Sequence, residues 1–356
     1  MPRVRLLPWL LILALVGCGT SPTREDMSYH VRPVSVSGDF AGAPGVYAFI
    51  ERMRRHGYPP ERTAAILSGA RLQPSIIDLM DQQSPRQATG PSGAWTRYRA
   101  KFLSEDSINN GVAFWRRNEV ALERAAARYG VPPEYIVAII GVETRYGGFT
   151  GKTRILDALA TLAFAYPRRA EYFAGELEQF LVMAKEENLD PFALRGSFAG
   201  AMGLGQFMPS SFREHAVDHD GDGQRDLWNP SDAIGSVANY FRHHGWQPGE
   251  PVAVPAQVRS VASAHAMKTG FKTRYGLNEL ASHGITPMRP LGRAEAVSLL
   301  ELDAQGGYEY WLGLKNFDVI TRYNQSTYYA MAVHQLAQAI RSRKGGLDGG
   351  RVSSTW

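Results

Sequence analysis

The sequence contains a single cysteine, Cys18, in 356 residues. One cysteine cannot form an internal disulfide, so the chain is not a small scaffold held together by disulfide bonds. A large excess of one charge sign is also lacking. The formal net charge is only +5, and no cluster of Lys and Arg with interleaved aromatic residues stands out. Nucleic acid is therefore a poor candidate partner, whereas an anionic polymer and an ordinary solubilising surface both account for the mild positive excess.

A long apolar run is lacking at the N-terminus as well. The apolar stretch at residues 6–16 is far shorter than the ~20 residues that a membrane-spanning helix needs. It follows Arg3 and Arg5 and precedes a glycine and Cys18, which is the order of a secretory signal. We therefore predict a signal peptide at residues 1–17.

The segment Leu15-Val16-Gly17-Cys18 resembles the lipobox of bacterial lipoproteins, in which cleavage exposes the cysteine for acylation. A signal peptide that ends near a cysteine by chance is the alternative. Gly19 follows in place of Asp, and the resemblance then implies the periplasmic face of the outer membrane of a Gram-negative bacterium. Residues 18–43 are rich in Ser, Pro, Gly and charge, and we predict a flexible, lipid-anchored tether.

Beyond the tether, the pattern is mostly helical with one short β region. Apolar residues make up 44% and charged residues 21% of the chain, as in ordinary globular proteins. Helical spacing predicts an apolar face formed by Val46, Phe49, Ile50 and Met53. Val252, Val254 and Val258 alternate as in a strand. Helical spacing also predicts a last helix from about Ser326 to Arg341, with Tyr329, Val333, Leu336 and Ile340 on one face. We predict a mostly α (α+β) fold. Its segments, in chain order, are a helical α domain at 44–130, a helix-rich core at 131–248, a small antiparallel β domain at 249–317, a C-terminal segment and helix returning to the core at 318–345, and a flexible tail at 346–356.

One carboxylate lies on an apolar helix face. Pro132-Pro133 is typical of a helix start, and Gly147-Gly148 of a helix end. Offsets of three and four residues point the same way along a helix. Glu143 therefore shares its face with three isoleucines, Ile136, Ile139 and Ile140.

The surroundings of Glu143 predict a raised pKa. Poor solvation and the negative end of the helix dipole both disfavour the ionised form. A general acid at neutral pH requires this, because it must meet the leaving group while protonated. Spacing alone leaves an alternative open, in which Glu143 pairs with Arg145 or Arg154 or extends into solvent at the helix end.

Five ordered blocks resemble the membrane-bound lytic murein transglycosylase B family, and together they span about residues 40–340. The resemblance implies a lysozyme-like core flanked by an α domain and a small β domain. The blocks are 131–147 (VPPEYIVAIIGVETRYG), 166–169 (YPRR), 196–211 (GSFAGAMGLGQFMPSS), 233–241 (AIGSVANYF) and 322–326 (RYNQS).

The resemblance also assigns site residues. It implies that Glu143 is the catalytic residue, and it implies substrate-binding roles for Tyr98, Ser197, Gln206, Tyr240, Tyr323, Asn324 and Tyr329. Each has a structural alternative. Ser197 with Gly196 could cap a following helix, Gln206 could tie down the Gly-rich turn, and the tyrosines could be core residues with satisfied hydroxyls.

The implied reaction uses one carboxylate and no water. Glu143 protonates the oxygen that links N-acetylmuramic acid to N-acetylglucosamine, and the acetamido oxygen supports positive charge at the anomeric carbon, as in substrate-assisted glycosidases. Glu143 then takes the proton from the muramyl C6 hydroxyl, which attacks to give a 1,6-anhydro product. The expected partner is the peptidoglycan glycan strand, the expected state is a monomer, and no organic cofactor is expected.

An acidic loop predicts a metal site. Its oxygens match EF-hand positions 1, 3 and 5, with a backbone carbonyl at position 7, from Asp218, Asp220, Asp222 and Gln224. Position 12 is Asn229 instead of Glu. In the resembling family the loop is longer and closes on an aspartate that corresponds to Asp232, which implies structural Ca²⁺. A solvated acidic turn is the alternative.

Two other functions remain open at this point. One is a cell-wall binder that keeps the cleft without turnover, against which the complete set of Glu143, Ser197, Gln206 and Asn324 argues. The other is a muramidase that hydrolyses the same bond with water, which a second suitably placed carboxylate would favour.

Overall fold

Helices dominate the architecture. The computed structural model describes residues 34–82 and 92–352, and the predicted signal peptide and Cys18 lie outside these residues. The described part contains fifteen α-helices and seven β-strands. None of these helices is long and apolar enough to cross a membrane. From Ser35 onward the chain forms one compact unit.

The first helices follow the predicted apolar spacing. Prolines at first-turn positions begin α2 and α3, and Gly130 ends α6 with φ 72°, which is the usual asymmetry of helix ends. The residues predicted to share the apolar face of α1 are all buried. The helices are α1 (Val46–Arg54), α2 (Pro60–Ser68), α3 (Pro74–Gln82), α4 (Ala94–Ala100), α5 (Glu105–Arg117) and α6 (Glu119–Tyr129).

The end of the predicted tether is ordered. Residues Gly38–Phe40 form a 3₁₀ helix, and the Phe40 ring is 1% exposed and lies edge-on to Phe164 at 5.7 Å. The tether prediction therefore does not hold for these residues, because burial of one aromatic ring outweighs the polar composition around it.

The first helix of the predicted core, Pro133–Thr144, is almost entirely buried. This helix, α7, contacts α5, α6 and α11, and its three predicted inward isoleucines are 0% exposed. Farther along the chain, β1 and β2 form a two-stranded antiparallel sheet. The elements are α7 (Pro133–Thr144), β1 (Thr153–Arg154), α8 (Ile155–Ala165), α9 (Ala170–Glu186), β2 (Arg195–Gly196), α10 (Pro209–His215) and α11 (Pro230–His243).

The end of α7 differs from the prediction. The helix ends at Thr144, and Arg145 and Tyr146 take left-handed φ values of 51° and 61° before the glycines are reached. A left-handed residue with a side chain costs about 1–2 kcal/mol. Tertiary contacts offset this cost: the Tyr146 ring lies so close to Gly141 that an added Cβ would be 2.6 Å away, and its hydroxyl donates to the Ser107 carbonyl at 2.9 Å.

The β region forms one antiparallel sheet with strand order β4-β6-β7-β3-β5. Two short helices interrupt it, and Leu280 from the second packs with Leu299 and Leu312 in its core. The elements are β3 (Ala253–Val258), α12 (Val261–His265), β4 (Tyr275–Gly276), α13 (Leu277–Ser282), β5 (Ile285–Pro287), β6 (Ala296–Ala304) and β7 (Gly307–Gly313). The mostly helical fold with a small antiparallel sheet is as predicted.

The chain closes with α14 (Lys315–Tyr323) and α15 (Thr327–Val352). Helix α15 packs against α5 and α7, and its predicted apolar face is buried. It continues well beyond the predicted end at Arg341, into the predicted tail. Arg341 and Arg343 pair with Glu134 and Glu105 at 3.1 and 2.7 Å, which fastens this extension to the helices beneath it.

The sheet also holds the start of α4. Asp303 of β6 accepts hydrogen bonds from the backbone N–H of Gly93 at 2.8 Å and from the Ser92 hydroxyl at 2.6 Å. The first N–H groups of a helix have no partner within the helix. A carboxylate from another element therefore serves as the N-terminal cap of the helix that carries Tyr98.

Candidate active site

Glu143 lies in the last turn of α7, where its half-buried side chain faces a cavity of about 430 Å³. The other lining residues are Lys101, Phe102, Val142, Arg145 and Phe149. Glu143 is the only carboxylate among the described residues that line this cavity.

The carboxylate has one close partner. The Tyr329 hydroxyl, on α15, donates a hydrogen bond to Glu143 Oε1 at 2.5 Å, and Tyr329 is 3% exposed. Burial raises the pKa of Glu143 to about 7, and the hydrogen bond from Tyr329 opposes part of that rise. The predicted direction of the pKa shift is therefore confirmed, and at neutral pH the group is close to half-protonated.

The arginines that could have neutralised Glu143 have other partners. Arg154 binds Asp157 at 2.6 Å and donates to the Gly69 carbonyl at 2.8 Å. The Arg145 guanidinium lies over the Phe149 ring, 5.7 Å from its centroid. These contacts replace the ion pairs with Glu143 that the sequence leaves open.

Two of the predicted tyrosines form a packed wall. The rings of Tyr240 and Tyr323 lie 4.9 Å apart. The Tyr240 hydroxyl donates to the Arg322 carbonyl at 2.8 Å, and that of Tyr323 to the Gly205 carbonyl at 2.5 Å. Burial raises the pKa of both, with the charge of Glu143 adding to the rise at Tyr323. Both hydroxyls are therefore neutral, and each holds a backbone carbonyl in place by donating a hydrogen bond to it.

Ser197 and Gln206 both brace the Gly-rich turn. The Ser197 hydroxyl accepts the Ala201 N–H at 3.0 Å, and the Gln206 amide donates to the Gly203 carbonyl at 2.9 Å and to the Thr150 carbonyl at 3.2 Å. Gln206 is itself left-handed, with φ 52°. In the described part of the chain, the next helix after Ser197 begins only at Pro209. The helix-capping alternative is therefore wrong, and the serine holds a turn instead.

Asn324 and Tyr98 are not among the residues that line the cavity. Asn324 is exposed and follows α14 in extended conformation. Tyr98 packs against Phe102 and Tyr328, with ring centroids 5.3 and 5.8 Å apart. Burial and the charge of Glu143 raise the pKa of Tyr98, so the two side chains interact electrostatically.

The sequence prediction did not include several cavity residues, namely Lys101, Phe102 and Phe149. Phe149 is 68% exposed directly after Gly147-Gly148. An exposed aromatic residue in a glycine-rich turn beside a carboxylate is the signal that could have identified it, because aromatic faces stack on apolar ligand surfaces.

The acidic loop gathers its carboxylates. Asp218, Asp220 and Asp222 each offer an oxygen within 4.8 Å of the others, and the Gly223 N–H donates to Asp218 at 2.9 Å. Asp232, 1% exposed, accepts the N–H groups of His219 and Asp226 at 2.7 and 2.8 Å. Asp232 therefore closes the loop through backbone hydrogen bonds and is not among the clustered carboxylates, whose oxygens suit a hard cation such as Ca²⁺.

Fold and site together define a glycan-cleaving enzyme of the lysozyme-like class, in which one carboxylate of raised pKa lies at a cleft in a helical body. The transglycosylase SLT domain model matches residues 41–338. The chain is 52% identical to membrane-bound lytic murein transglycosylase B of Escherichia coli (strain K12), over 95% of this chain and 97% of that protein.

Solved structures agree. Escherichia coli lytic transglycosylase Slt35 in complex with bulgecin A is 56% identical, with a TM-score of 0.83 over 87% of this chain and 97% of that one. The same enzyme in complex with calcium has a TM-score of 0.82 at 55% identity, with the same coverage. SltB3 of Pseudomonas aeruginosa in complex with NAG-anhNAM-pentapeptide is 30% identical, with a TM-score of 0.73 over 83% and 78%. The chain therefore belongs to the membrane-bound lytic murein transglycosylase B family, and its fold is the lysozyme-like fold predicted.

Proposed function

We propose that the chain cleaves the β-1,4 bond between N-acetylmuramic acid and N-acetylglucosamine in peptidoglycan, with Glu143 making both proton transfers. The observation that carries this proposal is the Glu143 carboxylate itself, which has a pKa of about 7, binds Tyr329 and is the only carboxylate of its cavity in the described part of the chain. Two-carboxylate mechanisms need a second acidic group at a fixed distance across the bond.

In the proposed reaction Glu143 first donates a proton and then accepts one. Protonated Glu143 gives its proton to the bridging oxygen, and the N-acetylglucosamine side leaves as an alcohol. The acetamido oxygen stabilises the positive charge at the muramyl anomeric carbon. Ionised Glu143 then removes the proton of the muramyl C6 hydroxyl as that oxygen bonds to the anomeric carbon, which regenerates the acid and yields the 1,6-anhydro sugar. A pKa near the working pH suits a group that must act as acid and then as base.

The surrounding residues hold the substrate and the glutamate. Tyr329 orients the carboxylate, and the rings of Tyr98, Phe102 and Phe149 offer faces for sugar stacking. The exposed Asn324 amide would bind the acetamido group, a role that the family resemblance implies. Ser197 and Gln206 act through the turn that they brace, since their hydrogen bonds go to its backbone.

Mass spectrometry of digested peptidoglycan tests the reaction. We expect anhydromuropeptides from the native chain and none from Glu143→Gln, which should still bind glycan. Reducing-end muropeptides would instead establish a hydrolase, and the absence of any product from folded native protein would establish a binder. Activity retained in Glu143→Gln would overturn the role of Glu143.

We further propose that the acidic loop binds a structural Ca²⁺ through Asp218, Asp220, Asp222, the Gln224 carbonyl and Asp232. Support comes from the three converging carboxylates and from the relative solved in complex with calcium. CaCl₂ should raise the melting temperature of the native chain but not that of Asp220→Ala, since a ligand that binds only the folded state stabilises it. Asp78→Ala, an exposed aspartate of α3, is the control that should respond like the native chain.

Anchoring through Cys18 is the remaining part of the proposal. Residues 15–18 carry the lipobox pattern, and the Escherichia coli relative is described as membrane-bound. Expression of the full chain and of Cys18→Ser, followed by detergent-phase partitioning, should give a lipid-modified protein only from the first. Equal partitioning of the two would exclude acylation at Cys18.

A further inference from the structure

Three histidines meet on the side of the molecule behind the tyrosine wall. His215 ends α10, His243 ends α11, and His244 directly follows it. Each offers a ring nitrogen, and the three nitrogens lie within 4.8 Å of one another. The resemblance to the family assigns nothing to these residues, and neither the acid–base reaction nor the acidic loop uses them.

His215 carries a buried atom that needs a partner. Its side chain is 3% exposed, and within the described part of the chain its Nδ1 has no hydrogen-bond partner. A buried polar atom left without a partner costs about 1–3 kcal/mol.

A carboxylate completes the group. Glu214 Oε1 lies 3.3 Å from His243 Nε2, and Glu214 Oε2 lies 3.7 Å from His215 Nε2. The side chains of Glu214 and His243 are 59% and 53% exposed, so both can rotate toward a shared ligand that enters from solvent. His243 and His244 are also at the C-terminal end of a 14-residue helix, whose dipole favours a cation there.

We propose that His215, His243, His244 and Glu214 form a binding site for a divalent transition-metal ion, with Zn²⁺ as its occupant. Three imidazoles and one carboxylate are a common donor set for four-coordinate Zn²⁺, and imidazole nitrogen selects such ions over Ca²⁺, which prefers oxygen. The four side chains come from the ends of two helices, so the ion joins α10 to α11.

The site lies against the wall formed by Tyr240 and Tyr323. The His244 and His215 rings are 4.1 and 4.9 Å from the Tyr240 ring, and Tyr240 packs on Tyr323, whose hydroxyl holds Gly205. An ion that fixes the histidines therefore restrains the back of this wall and raises the melting temperature of the whole chain.

Isothermal titration of the folded chain with ZnCl₂, in saturating CaCl₂ so that the acidic loop is occupied, tests the site. We expect one Zn²⁺ per chain and a rise in melting temperature. Loss of an outer partner of a metal ligand costs roughly 10-fold or more in affinity, so removal of a ligand in His243→Ala or His244→Ala should cost at least that much. The more exposed His243 is the variant whose folding is least at risk.

Two control variants separate this site from others. His283→Ala removes a histidine from the β region, and Asp220→Ala removes a carboxylate from the acidic loop; both should bind Zn²⁺ like the native chain. The proposal is overturned if no stoichiometric Zn²⁺ binds, if His243→Ala and His244→Ala bind as tightly as the native chain, or if Asp220→Ala alone abolishes binding. None of these readouts requires catalytic activity.

Discussion

The Glu143 carboxylate is controlled by two opposing influences at the scale of single residues. Burial favours its neutral form and raises its pKa, while the Tyr329 hydroxyl, at 2.5 Å, favours its ionised form and lowers the pKa. A group that is proposed to give up one proton and then take another works best when neither influence dominates. The contribution that lowers the pKa comes from the Tyr329 hydroxyl alone. A substitution that removes only this hydroxyl therefore tests it.

Tyr329→Phe should raise the pKa of Glu143 above about 7, because only the lowering contribution is removed. The alkaline side of the pH profile of kcat/KM should then move to higher pH. The maximal rate should fall by up to about 100-fold, because a small misplacement of the reacting carboxylate costs that much. Release of anhydromuropeptides measured from pH 5 to pH 9 checks this, and an unchanged or acid-shifted profile would contradict it.

Glu143→Gln should change stability as well as activity. The folded-state pKa of about 7 exceeds the ordinary value of 4.5, so the folded protein keeps a proton that the unfolded chain releases between these pH values. The free energy of unfolding contributed by Glu143 is therefore fully present below pH 4.5 and lost as the pH rises through 7. Glutamine does not titrate. The free energy of unfolding of Glu143→Gln, relative to that of the native chain, should therefore increase as the pH rises.

Urea unfolding at pH 4.5 and at pH 8 measures that difference. The relative gain of Glu143→Gln between the two should be on the order of 2 kcal/mol, after allowance for the partial exposure of the carboxylate. An equal difference at both pH values would show that burial does not raise the pKa.

At the scale of elements, the end of α7 depends on a glycine. The Tyr146 ring lies over Gly141, and a Cβ at Gly141 would be 2.6 Å from it. Gly141→Ala should push this ring out and destabilise the chain by about 1–3 kcal/mol. It should also lower activity, because Tyr146 and Arg145 form the turn directly after Glu143.

Gly175→Ala is the matched control for this prediction. Gly175 lies inside α9, where an added Cβ has no neighbour within 4 Å, so alanine should stabilise the chain by about 0.5–1 kcal/mol. Thermal unfolding of both variants should give shifts of opposite sign. A stabilising effect of Gly141→Ala would mean that the ring does not need this space.

Local pattern was sufficient for the elements and insufficient for the contacts between them. Apolar periodicity identified the buried faces of α1, α7 and α15, because burial repeats with the helix period. The left-handed Arg145 was not predictable, since its conformation is stabilised by tertiary contacts and not by its own propensity. The histidine cluster was missed because His215 is 28 positions from His243 in the sequence.

The sequence did not reveal which of the predicted site residues contact one another. The resemblance to a family selected Tyr329, but its bond to Glu143 joins residues 186 positions apart, which no local spacing reveals. Substrate-binding roles for Ser197 and Gln206 stay a prediction, and their side chains form hydrogen bonds within the Gly-rich turn that the sequence alone did not distinguish from such roles. Residue type alone does not distinguish a group that contacts substrate from one that supports it.

At the scale of the whole molecule, Asp303 links the sheet to the cleft. It caps α4 through Gly93 and Ser92, and α4 carries Tyr98. Asp303→Ala should lower the free energy of unfolding by about 1 kcal/mol, as for other lost helix caps, and should lower kcat/KM for glycan strands because Tyr98 loses its support.

Asp303→Asn keeps one acceptor oxygen and should lose less of both. Glu279→Ala, an exposed carboxylate of the same β region, should match the native chain. Urea unfolding and muropeptide release on the same preparations test the link. Full activity in Asp303→Ala would show that the sheet does not position α4.

The hydrogen bond between Tyr329 and Glu143 also has a consequence in time. A ribosome completes α7 long before it reaches α15, so every growing chain passes through a period in which the glutamate exists without its partner. Docking of α15 against α5 and α7 is then the event that tunes the acid. The pKa of Glu143 is therefore set only after α15, which follows α7 by more than 180 residues, has docked.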